Sequence, residues 1–109
     1  MGYWTDYYRL QKYDSTDWVN GTTIFGETQC GTGLNEFCGC VDIFVDLQGA
    51  MYCCDNYNYR VIKITPNNSF ATVVAGVTNV SGSLLNQLSN PRGIFVDANN
   101  TVYVADMGN

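Results

Sequence analysis

The chain has 109 residues and a mass of 12.1 kDa, room for one small domain with one modest core. Five Lys+Arg against ten Asp+Glu give a net charge of −5, the wrong sign for a nucleic-acid patch or a polybasic membrane surface. Histidine is absent, which removes Ser-His-Asp and Cys-His catalysis and every His-ligated metal site from this segment. In chain order, the Tyr-, Val- and Thr-rich stretches predict strands over residues 8–13 and 18–25, and then over 41–45. Asp46-Leu-Gln-Gly49 supplies turn chemistry before a strand over 51–54. A polar loop, 55–58, leads to a strand over 59–64, the turn 65–68 and a strand over 70–75, which Gly76 ends. The polar run 77–90 is a connection. No segment holds a 3.6-residue apolar period with caps, so little or no helix is expected.

The pattern repeats. Residues 43–46 (Ile-Phe-Val-Asp) recur at 94–97, an offset of 51, and seven of 16 pairs match when 43–58 is laid on 94–109. The same offset places Tyr8, Arg9 and Lys12 under Tyr59, Arg60 and Lys63. It slips to 50 where residues 22–26 fall under 72–76, and returns to 51 at Leu34-Asn35 and Leu85-Asn86. Four short strands with tight turns and then a longer connection is the order of a β-propeller blade. The expected fold is all-β, antiparallel four-stranded blades forming a partial propeller. Residues 1–26 make the second half of one blade, strands three and four; 27–76 make a complete blade; 77–109 make a connection and the first half of the next.

Asn90-Pro-Arg-Gly-Ile-Phe-Val-Asp97, Val102-Tyr-Val-Ala-Asp106 and Asn109 resemble the NHL repeat, whose pattern is P-x-G-I-x-V-D followed by Y-V-A-D-x-x-N-x-R-V. The middle unit is a looser copy that keeps Ile43, Val45, Asp46, Gly49, Tyr52, Asp55, Asn58, Arg60 and Val61. It departs at Cys40 and Asp42, which stand for Pro91 and Gly93, and at Cys53-Cys54, which stand for Val104-Ala105. The resemblance implies propeller blades, usually six to a ring, of which this chain is about a third. Physical chemistry assigns the motif residues structural work. Ile43, Val45, Ile94 and Val96 are expected between neighbouring blades. Asp46 and Asp97 close strand turns, Asp55 and Asp106 accept backbone N–H groups in the loop that follows, and Arg60 pairs with Asp55. The rival reading, a carboxylate dyad or calcium site, fits poorly, because a catalytic site breaks repeat symmetry and these residues follow it.

Cys30, Cys38, Cys40, Cys53 and Cys54 lack zinc-ribbon spacing, so disulfides in an oxidising compartment are expected. Spacing alone does not select the pairing. Neighbouring strand residues face opposite ways, so Cys53 and Cys54 take different partners or one stays free. A zinc site with four thiolates and buried cytosolic thiols are the alternatives. Four Asn-x-Ser/Thr sequons, at Asn20, Asn67, Asn79 and Asn99, fall in turns, edges or connections and point to the secretory pathway. No apolar run approaches the ~20 residues of a membrane helix, and no signal-peptide core follows Met1. The expectation is a secreted chain, or the extracellular part of a membrane protein, whose true start lies upstream.

The expected function is a binding module presenting loops to a protein, small ligand or glycan, with neighbouring blades of the same protein as further partners and no nucleic acid. No catalytic, metal or cofactor residue is assigned. The alternative, implied by resemblance to amidating-lyase and lactonase propellers, is a fragment of an enzyme whose catalytic residues lie outside this chain. Tyr3, Trp4, Tyr7, Tyr8, Tyr57 and Tyr59 cluster at aligned loop positions, as an aromatic contact surface or as inter-blade packing. Two repeats bury too little on their own. The chain is therefore expected to be a fragment, or to assemble with its last two strands completing the first strands of another copy.

Overall fold

The computed structural model describes residues 2–6, 9–26 and 30–108, without the side chains of 2–6, 17 and 18. Among the described residues nine strands follow one another: β1 (Gly2–Asp6), β2 (Arg9–Asp14), β3 (Asp17–Gly26), β4 (Cys40–Val45), β5 (Met51–Asp55), β6 (Arg60–Ile64), β7 (Thr72–Gly76), β8 (Pro91–Val96) and β9 (Val102–Asp106). They form three antiparallel sheets in sequence order, β1-β2-β3, β4-β5-β6-β7 and β8-β9. The only helical element among the described residues is a 3-10 turn at Asn56–Asn58. The fold class is all-β, with antiparallel pairing throughout these sheets.

The repeat is written into the pairing. Ile43, Phe44 and Val45 pair with Cys53, Tyr52 and Met51, and Ile94, Phe95 and Val96 pair with Val104, Tyr103 and Val102. Both pairs carry an irregularity at the same place, after Cys40 in one and after Pro91 in the other. Arg60 pairs with Asp55 and Gly76, and Arg9 pairs with Asp6 and Gly26. The first sheet thus reproduces β5-β6-β7.

That equivalence corrects the expectation for residues 1–26. They hold three strands, not two, because Gly2–Asp6 pairs along β2. The β2 edge that a second copy's last strands were expected to complete is occupied by β1. Boundaries elsewhere move by one or two residues: β4 begins at Cys40, β5 runs to Asp55, and β7 spans Thr72–Gly76.

Side chains alternate across each strand, so the middle sheet has two apolar faces and buries both. On one face Met51, Cys53, Ile62 and Ile64 meet Leu10 and Phe25 of the first sheet, joined by Phe37 and Ala71. Phe25 and Phe37 stack with centroids 6.1 Å apart. On the other face Ala50 and Tyr52, with Phe44 and Val74 beside them, meet Val96, Ile94 and Val102 of the third sheet. Each fully buried Leu, Ile or Phe contributes about 1.5–3 kcal/mol. The middle sheet is therefore the best-anchored element. Phe95 and Tyr103, equivalent to Phe44 and Tyr52, stand on the third sheet's outer face and remain 57% and 54% exposed.

Candidate functional site

Two turns with the same hydrogen bonds shape the surface. Asp46 Oδ1 accepts from the Gln48 and Ala50 amides, each at 2.9 Å, and Asp97 Oδ1 accepts from Asn99 and Thr101 at 2.9 Å. Tyr52 and Tyr103 donate their hydroxyls to the second oxygens, both at 3.2 Å. Gly49 and Asn100 occupy equivalent left-handed positions, φ 85° and 63°, a conformation open to Gly and tolerated by Asn. The hydrogen bonds from Thr101, Asn99 and Tyr103 hold the Asp97 carboxyl below its ordinary value. The bond to Asp97 raises the Tyr103 hydroxyl. Asp46 and Asp97 are turn-closers, as their position in the repeat predicts.

Between these turns lies an apolar cleft of ≈ 250 Å³, lined by Phe44, Val45, Leu47, Phe95, Val96 and Ala98 together with the turn residues Asp46, Gln48, Asp97 and Asn100. Phe44 and Phe95 meet edge to face, centroids 5.4 Å apart. Leu47 at the tip of the first turn is 94% exposed. A larger groove of ≈ 690 Å³ runs between the first and second sheets and includes Lys12, Ile24, Gly49, Pro66 and Asn67.

At the interior of the middle unit sits a charged lock. Arg60 and Asp55 have no exposed side-chain surface, and Arg60 Nε donates to Asp55 Oδ2 at 2.6 Å. Arg60 Nη1 donates to the Thr32 carbonyl and Thr78 Oγ1, and Nη2 to the carbonyls of Gly33 and Glu36. All five guanidinium protons are used. Buried Asn58 donates to Gly31 O at 2.7 Å and to Asp55 Oδ2 at 2.9 Å, while its carbonyl accepts from the Asn79 amide. The lock fastens the connection 31–36 to the sheet. Arg9, the register equivalent of Arg60, leaves its buried Nε without an acceptor among the described residues.

One expectation changes direction. Asp55 Oδ1 accepts from the Cys38 amide at 2.6 Å, and Asp106 accepts from Ser89 and Asn90. These donors precede the first strand of each unit; they do not lie in the loop that follows. Gly93 sits at the β8 irregularity with a negative φ, and an added Cβ would make only ordinary contact with Ala105, 3.4 Å away. Asn109, Tyr7 and Tyr8 lie outside the described residues, as do the side chains of Tyr3 and Trp4. Tyr57 is 68% exposed and lies over Gly39, so it is not part of the core, and Tyr59 is half-buried in a left-handed turn. Of the six aromatics, Tyr57 and Tyr59 alone have described side chains.

Cys30 pairs with Cys38 and Cys40 with Cys53, with Cα atoms 4.6 and 5.6 Å apart, leaving Cys54 free and buried. Burial, reinforced by the Asp42 carboxylate, pushes the Cys54 thiol up to about 12. Asn20, Asn67, Asn79 and Asn99 are all exposed. Among the described residues no group of three or more His, Cys, Asp or Glu is placed to hold a metal ion, and no helix is long and apolar enough to cross a membrane. The Cys40–Cys53 link and the Arg60 contacts with residues 32–36 escaped sequence reasoning, since both join segments that only the folded topology brings together. No protein-family model and no curated protein matches the chain.

Proposed function

We propose that the chain is a binding module, a run of NHL-like propeller repeats that offers the loops at one end to a protein partner. On this reading residues 1–26, 27–76 and 77–109 belong to three successive blades, and the protein works outside the cytosol. The supporting observation is the cleft between turns 46–49 and 97–100, an apolar depression beside a Leu47 that is 94% exposed. Apolar surface held open by rigid turns is the usual ground of a protein contact. The two disulfides are compatible with an extracellular setting.

The test compares two highly exposed leucines. Leu47→Asp places a charge at the cleft, while Leu85→Asp alters a fully exposed residue in the connection. Proteins retained by the wild-type chain and by Leu85→Asp, and lost from Leu47→Asp, would support the reading. Loss from both variants, or from neither, would count against it.

A further inference from the structure

The three sequons in turns and connections share a geometry that the sequence could not show. Asn67, Asn79 and Asn99 are exposed, and so are their hydroxyl partners Ser69, Ser81 and Thr101. Asn67 and Asn79 have left-handed backbones, φ 62° and 63°. The hydrogen bonds at Asn79 and Asn99 run through the backbone: the Asn79 amide donates to Asn58 O and the Asn99 amide to Asp97 Oδ1, both at 2.9 Å. Neither Nδ2 is committed elsewhere among the described residues. Asn56 and Asn58 contrast with them. Their side-chain amides are spent on Asn90, Pro91, Gly31 and Asp55, and neither stands in an Asn-x-Ser/Thr frame. These three sequons fall where the fold leaves the Asn side chain at the surface. Both disulfides are compatible with the oxidising compartment in which such sites are modified.

We propose that Asn67, Asn79 and Asn99 carry N-linked oligosaccharides, donated by a lipid-linked oligosaccharide pyrophosphate. Nδ2 bonds to C1 of the first sugar as the C1–oxygen bond to the pyrophosphate breaks. The lipid pyrophosphate leaves with the electron pair, and the amide proton passes to the transferase; nothing is oxidised or reduced. Placement sets the consequences. Asn67 lines the ≈ 690 Å³ groove, so its sugar roofs that groove. Ala98 and Asn100 line the ≈ 250 Å³ cleft and Asn99 does not, so its sugar borders the cleft and leaves the mouth open. The inference stands whether or not the cleft binds a protein.

The experiment uses the protein isolated from the cells that make it, with disulfides intact. Peptide-N-glycosidase is applied in heavy-oxygen water without denaturant, and the peptides are read by mass spectrometry. Labelled Asp at two or more of positions 67, 79 and 99 is the expected result. Label at one or none of these positions, with the protein folded or unfolded before treatment, would overturn the proposal. The Thr101→Ala variant, made in the same cells, is expected to lose the label at 99 alone; retention there would also count against it.

Discussion

Arg60 donates from Nε to Oδ2 of Asp55 at 2.6 Å, and neither side chain reaches solvent. Removing one partner of a buried, fully hydrogen-bonded pair costs about 3–5 kcal/mol, because the other charge and its acceptors are left in the interior. Arg60→Leu should therefore destabilise the chain by that amount in urea titrations. Exposed Arg92→Ala should stay within about 0.5 kcal/mol of wild type. Equal midpoints for the two variants would show that the lock contributes nothing.

The disulfides close loops of 8 and 13 residues in sequence separation. Loop-closure entropy assigns each about 2.5–3 kcal/mol, so Cys30→Ser with Cys38→Ser, and separately Cys40→Ser with Cys53→Ser, should each lower stability by about that much. Non-reducing peptide mapping should recover the Cys30–Cys38 and Cys40–Cys53 links and no others.

Cys54 should be the one thiol that titrates, and only in denaturant. With its thiol pushed up to about 12, the thiolate at pH 8 is about one part in ten thousand, and burial shields even that. Alkylation of the native protein at pH 8 should be negligible and should become stoichiometric on unfolding. Fast native alkylation would contradict the buried placement.

Asp97 gives a pH signature. Its folded carboxyl lies below the ordinary 3.8, so its contribution is present above that value and is lost as pH falls through the lowered one. Tyr103 runs the other way: its hydroxyl is raised from 10.0, and its bond to Asp97 is kept below that value and lost as pH climbs through the raised one. Protection of the Asn99 and Thr101 amides, taken relative to the intrinsic exchange rate at each pH, should fall as pH drops below 3.8 through the lowered value, and Asp97→Ala should lower it at neutral pH. Unchanged exchange in that variant would remove the carboxylate from the turn.

Gly76 and Gly108 both have positive φ, 84° and 93°, yet their surroundings differ. A Cβ at Gly76 collides with the Tyr59 carbonyl oxygen, whereas at Gly108 nothing lies within 4 Å. Alanine should cost about 1–2 kcal/mol at Gly108 from backbone strain alone, and clearly more at Gly76. Thermal melts of the two variants measure the difference.

What the sequence disclosed followed from locality. Asp46 and Asp97 act on amides two and four residues away, so their turns were legible from residue order. The pairing of Asp55 with Arg60 spans five residues and was legible too. β1 was missed for a concrete reason. Two residues separate Asp6 from Arg9, and four separate Asp55 from Arg60, so a fixed offset of 51 slides past the match. The Cys40–Cys53 pairing needed β4 folded back on β5, and the cleft needed two sheets brought side by side.

Asp42 reaches from β4 to accept the Ile94 amide of β8 at 3.0 Å, across a sequence separation of 52. The residue equivalent to Asp42 in the following unit is Gly93, which has no side chain to reach onward. The two copies are therefore not interchangeable parts. A chain with the segments 40–55 and 91–106 exchanged would keep every within-hairpin pair and lose the latch between them. This repeat carries a serial order, marked by one carboxylate that its neighbour lacks.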